Sequence, residues 1–189
     1  ARTVLEEVVA RIPVHLLSNI DSIYIGKFDF LDKRDVQAAY ENSSIFLTNI
    51  QDSEKDMLDD IIHEVAHSVE ETFTSEIYSD QKIESEFLQK RKNMWFLLKD
   101  QGFPVELQNF LQTSYSEEFD DYLYQEIGYP VLSMLTANIF YSPYASTSLR
   151  EYFANGFEAF FMAEDIDRLN NVSPALYDKL TYLLSLEDQ

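Results

Sequence analysis

The sequence predicts an α+β fold, predominantly helical, with a small sheet near the N-terminus, and three observations carry that expectation. Long stretches repeat apolar residues at the three-to-four-residue period of amphipathic helices. Two short runs rich in β-branched and aromatic residues fall within the first third of the chain. Only four glycines and five prolines interrupt 189 residues, 46% of them hydrophobic. A chain of this length supports one well-buried core, so a single domain over 1–189 is expected.

The elements follow in order. TVLEEVVARI places Val4, Leu5, Val8, Val9 and Ile12 on one helical face, and Pro13 closes the helix. SIYIGKF (Ser22 to Phe28) and SIFLTNI (Ser44 to Ile50) read as strands, with KRDVQAAYE (Lys33 to Glu41) read as a helix between them. Ser53, with Asp56 three residues on, starts a helix whose apolar positions are Met57, Leu58, Ile61, Ile62, Val65, Ala66, Val69 and Phe73. A second long helix is expected from Lys82 to Lys99, then two or three shorter ones broken at Gly128 and Pro130. Tyr141 to Ser148 (YSPYASTS) reads as a loop, and LREYFANGFEAFFMAEDI as a helix from Leu149 to Ile166. Ser173 at the cap and Pro174 at the first helical position open the final helix.

Charge and composition exclude several classes of function. A net charge of −20 spread along the chain leaves nothing to neutralise phosphates, so no nucleic-acid partner is expected. The absence of cysteine removes disulfides, thiolate metal sites and thiol nucleophiles together. No apolar run approaches the roughly 18–20 residues of a membrane span, and the N-terminal segment lacks the features of a signal peptide.

Chemistry is concentrated in DDIIHEVAHSVEE, Asp59 to Glu71, which holds two of the three histidines. At i and i+4 of a helix, His63 and His67 point to one side and can share one ion. Glu64, about 100° around the helix, can reach a water beside that ion. This is the spacing of the H-E-x-x-H metallopeptidase motif. Catalytic zinc takes three protein ligands and keeps one position open, so a third ligand must come from elsewhere. His15 lies far off and reads as a core or surface residue, which leaves a carboxylate. Glu151 and Glu158 stand out because they interrupt an otherwise apolar helix, although Ser148 to Glu151 also fits a capping box.

HEVAHSVEE, followed far downstream by YASTSLREYFANGFEAFF and SPALYDKLTYLLSL, resembles the catalytic domain of anthrax toxin lethal factor and the lethal-factor-like zinc peptidases, a branch of the gluzincins. The resemblance implies a zincin-like metallopeptidase fold in which the helix from Asp59 to Glu71 carries the active site. It implies Glu151, in Glu151-Tyr152-Phe153-Ala154 with Phe157, as the third ligand, and Tyr144, seven residues earlier, as the catalytic tyrosine. Tyr141 is a rival for that role. The match is tight only in those two helices and the tyrosine loop. The stretch between His67 and Glu151 is longer here, Asn155 and Gly156 stand where the family carries Glu and Ala, and 82–140 has no counterpart.

The expected activity is zinc-dependent endopeptidase hydrolysis, with His63, His67 and Glu151 on Zn²⁺, Glu64 as general base and Tyr144 as oxyanion donor. The expected partner is a peptide or protein substrate, with basic sequences favoured by Glu70, Glu71 and their neighbours. Ile45 to Asn49 is the expected substrate-aligning edge. The alternatives are a non-catalytic zincin-like binding or structural module, and a protease acting only on itself or its assembly partner.

Overall fold

The computed structural model describes residues 1–163 and 165–188. The chain forms two compact units, one of Ala1–Thr74 with the residues from Leu184 on, the other of Ser75–Leu183. Helices predominate in a fold that also holds one three-stranded sheet.

The first unit comprises α1 (Arg2–Arg11), β1 (Ser22–Gly26), α2 (Asp29–Arg34), β2 (Ala38–Glu41), β3 (Ser44–Thr48) and α3 (Glu54–Thr72). The apolar stripe of α3 is what organises it. Ile61, Ile62, Val65, Ala66 and Val69 are fully buried, and α3 packs on α1, where Val4 and Val8 are buried, on β2, where Ala39 and Tyr40 are buried, and on β3, where Ile45 and Leu47 are buried. Ser53 caps α3 as its spacing requires, its Oγ accepting from the Asp56 N–H at 3.1 Å. His15 lies edge-on to Phe73, ring centres 6.5 Å apart.

The sheet overturns two expectations. Lys33 to Glu41 is not one helix: α2 ends at Arg34, Asp35 takes a left-handed conformation (φ 54°), and Ala38–Glu41 is a strand. The cause lies just beyond, where Asn42 and Ser43 both have positive φ (50° and 59°) and close a two-residue hairpin into β3. Pairing with β3 and burial of Ala39 and Tyr40 outweigh the helical preference of the sequence. The strand order is β1-β3-β2, with β1 parallel and β2 antiparallel to β3. SIFLTNI is therefore the interior strand, its backbone paired on both sides, and Ile45 to Asn49 is not an edge that could align a substrate.

The boundary between the units in sequence falls within α4 (Thr74–Tyr78), after its first residue. The second unit follows with α5 (Lys82–Asp100), α6 (Leu107–Phe110), α7 (Glu117–Asp121), a π-helical stretch (Tyr122–Ile127), α8 (Tyr129–Thr136), α9 (Leu149–Met162), α10 (Ile166–Val172) and α11 (Pro174–Leu184). Gly128 (φ 82°) breaks the chain before α8, where the sequence placed the break. The expected helix from Leu149 to Ile166 ends early. Ala163 turns left-handed (φ 57°), Asp165 caps a new helix by accepting from the Arg168 N–H at 3.1 Å, and Glu164 lies outside the described residues.

At the start of α11, Ser173 holds the cap position, but the first N–H groups go to a distant carboxylate. Glu86 on α5 accepts from Ala175 N (2.8 Å) and Leu176 N (3.2 Å), and also from the Tyr152 hydroxyl (2.7 Å) on α9. Gly156 lets α9 approach α11: a Cβ there would stand 2.9 Å from Leu176 Cγ.

Candidate metal centre

Two turns of α3 carry His63, Glu64 and His67. The helix turns its apolar stripe into the core, which leaves His63 half-buried at the edge while Glu64 and His67 are only 8% and 7% exposed. The imidazoles meet edge-on with centres 5.1 Å apart. One potential ligand atom from each of the three residues lies within 4.8 Å of the others. Ligand atoms about 2.0–2.1 Å from a tetrahedral ion stand roughly 3.3 Å from one another, so the group could hold a metal ion, with the two imidazoles as ligands and the Glu64 carboxylate beside them. Two imidazoles beside a carboxylate also suit zinc in donor type.

Glu64 is held from outside its own helix. Its Oε2 accepts from the backbone N–H of Tyr40 at 2.6 Å. In the β2–β3 register Tyr40 faces Ile45, and the neighbouring Gln37–Thr48 pair is bonded (Thr48 N to Gln37 O, 2.8 Å). By the antiparallel alternation, Tyr40 then turns its N–H away from β3. The free edge of the sheet thus faces the glutamate of the motif, and that edge is β2. His67 has a carboxylate of its own nearby, Glu70 Oε2 at 3.9 Å from Nδ1, too far for a direct hydrogen bond.

The other expected site residues belong to the second unit. Tyr144 opens a short 3₁₀ turn (Tyr144–Ser146) and is 37% exposed. Ser148 caps α9, its Oγ accepting from the Glu151 N–H at 3.1 Å, and Glu151 itself is half-buried in the first turn. The backbone half of the capping reading is thereby realised. The structure thus assembles His63, Glu64 and His67 within one helix, and Tyr144 and Glu151 on a consecutive turn and helix.

Sequence reasoning missed Tyr40, because its contribution is a main-chain N–H that no side-chain pattern reports. The only available signal was the Asn-Ser pair, a weak version of the Asn-Gly hairpin turn. Comparison of the chain with protein-family models, with curated proteins and with solved structures finds no match.

Proposed function

We propose that this chain is a zinc-dependent endopeptidase of the gluzincin type, similar to the lethal-factor-like peptidases. The observation that supports it is the grouping of His63, Glu64 and His67, with potential ligand atoms within 4.8 Å on one buried stretch of α3. His63 and His67 hold the ion, and Glu151 is the proposed third ligand. Bound zinc supplies a Lewis acid that polarises a carbonyl and acidifies water. Glu64 takes the proton of the attacking water and passes it to the leaving amine. Its Oε2 bond to Tyr40 N fixes the carboxylate while the second oxygen keeps its lone pairs for that water. Tyr144 donates to the oxygen of the tetrahedral carbon. The outer edge of β2 replaces β3 as the backbone along which an extended peptide would lie, through groups other than the Tyr40 N–H that Glu64 already takes. The acidic charge of the chain favours basic sequences.

A second reading has one observation in its favour. The Glu64–Tyr40 bond also ties α3 to the sheet, which is a structural task a non-catalytic module would share. Elemental mass spectrometry of the wild type, His67→Ala and Glu151→Ala separates the readings, together with peptide-library turnover by the wild type and Glu64→Gln. About one zinc per chain, lost in both ligand variants, with turnover abolished in Glu64→Gln, is the expected result. No zinc after incubation with excess metal sinks the proposal, and zinc without turnover favours the module.

A further inference from the structure

Buried cations in proteins usually face carboxylates, yet near Tyr144 two buried cations, Arg91 and Lys90, and the half-buried Arg168 bond to carbonyl oxygens. Arg91 on α5 is 1% exposed. It donates from Nη1 to Ser146 O (2.5 Å) and Thr147 O (3.3 Å), and from Nη2 to Asn109 O (2.5 Å). Its guanidinium carbon sits 4.0 Å from the centre of the Phe119 ring. Lys90, the preceding residue, donates to Ile139 O at 2.5 Å and to Val172 O. Arg168 donates to Tyr141 O (3.0 Å) and Ala137 O (3.4 Å) and lies 4.7 Å over the Tyr141 ring.

We propose that Arg91 is a positioning residue for Tyr144: from α5 it pins the inner side of the 3₁₀ turn, so that the tyrosine is presented on the outer side as the oxyanion donor. The inference rests on the zinc-peptidase reading above. The turn's own bonds set its shape, with Ser146 N on Pro143 O (3.1 Å), Thr147 N on Tyr144 O (3.0 Å) and Thr147 Oγ1 on Tyr144 O (2.9 Å). They do not set its place. Partners outside the turn help set its place, among them Arg91 on Ser146 O and Thr147 O, and Leu149 N on Thr113 O (2.8 Å). Burial follows the same division: Ser146, Thr147 and Ser148 are buried while Tyr144 is exposed.

The cations also divide the two rival tyrosines. The Tyr141 carbonyl and ring both lie on Arg168, whereas Arg91 grips the Tyr144 turn through the carbonyls that follow the tyrosine. The fork reaches Ser146 O from Nη1 and Asn109 O from Nη2, two separate nitrogens; a lysine at 91 would keep the charge but offer one nitrogen for both sides of the grip. Burial draws the Arg91 guanidinium down to about 9, which still leaves it charged at neutral pH. On this account α5, in the segment without a counterpart in the family, is the scaffold of the tyrosine loop.

The test uses the full chain as wild type, Arg91→Lys, Tyr144→Phe and the double variant, with amide hydrogen exchange and peptide turnover measured on each. Arg91→Lys is expected to speed exchange across 146–149 at least tenfold while α3 and its zinc content stay unchanged. It should lower kcat tenfold or more with KM within twofold, and in the Tyr144→Phe background it should lower kcat no further. Unchanged exchange at 146–149, or multiplying effects of the two substitutions, overturns the proposal. If the wild type turns over no peptide, the peptidase reading and the oxyanion role fall together, and exchange alone decides whether Arg91 holds the turn. Should Arg91→Lys not fold, Phe119→Leu removes the ring under the guanidinium and keeps the cation; it should raise exchange in the same segment, and unchanged exchange there counts against the proposal.

Discussion

Glu64 shows how much a single main-chain group contributes at the residue scale. A hydrogen bond from a buried N–H to a carboxylate is worth roughly 1.5–3 kcal/mol, and the Tyr40 N–H makes one at 2.6 Å without leaving a ladder bond unmade. Proline at 40 removes that donor at a position where the ladder does not need it. Tyr40→Pro should therefore be less stable than Tyr40→Ala by roughly 1.5–3 kcal/mol in urea unfolding. Both variants lose the side-chain bond from Asn19 (2.8 Å), so equal stabilities would show that the N–H does not anchor Glu64. Lys90 gives a pH-dependent counterpart. Burial pushes its ammonium down to about 8, against an ordinary value near 10. Between those values the unfolded chain carries a proton that the folded chain has released, so rising pH favours the fold. The neutral amine still has two hydrogens for Ile139 O and Val172 O. The stability of the wild type relative to Lys90→Met is expected to rise from about pH 8 to pH 10, and a flat difference would contradict the assignment. Other titrating groups are common to both proteins and drop out.

Elements were legible where one local signal was strong and unopposed. In α3, Ser53 and Asp56 mark the start, the apolar period runs uninterrupted, and the observed helix matches. Strand β2 was not legible: Ala-Ala-Tyr-Glu carries no period-two alternation, and its turn uses Asn-Ser where Asn-Gly would have announced a hairpin. The break after α9 was hidden for a similar reason, since Ala163 adopts the left-handed cap conformation usually given to glycine. Asp165, three residues before Arg168, was the cap signal that could have revealed α10. Gly156 carries the clearest prediction at this scale. A methyl group there meets Leu176, so Gly156→Ala should cost about 1–3 kcal/mol despite the better helix propensity of alanine. Leu176→Ala in the same chain should make that cost smaller than it is alone, because the two side chains compete for one space. A stabilised Gly156→Ala variant would show that α9 and α11 are not in close approach.

Across the whole molecule, the strongest influence outside the core is a net charge of −20. Self-repulsion of that size opposes the folded state and is screened by salt. The Tm should rise between about 10 mM and 200 mM sodium chloride, where the Debye length falls from about 30 Å to below 10 Å; a constant or falling Tm would mean that local ion pairs outweigh the net field. Zinc at about 100 times its Kd should add about 2.7 kcal/mol of stability, an increment absent in His67→Ala. The sequence by itself determined the helical predominance and the placing of two histidines and a glutamate on one helix, because hydrophobic period and i, i+4 spacing are properties of a single segment. Strand order, the edge that faces Glu64, the Glu86 cap of α11 and the hold of Arg91 on the tyrosine turn were decided only by tertiary structure. In each of these a main-chain N–H or C=O finds a partner 24 to 90 residues away or in another strand, and a backbone group looks the same at every position of a sequence.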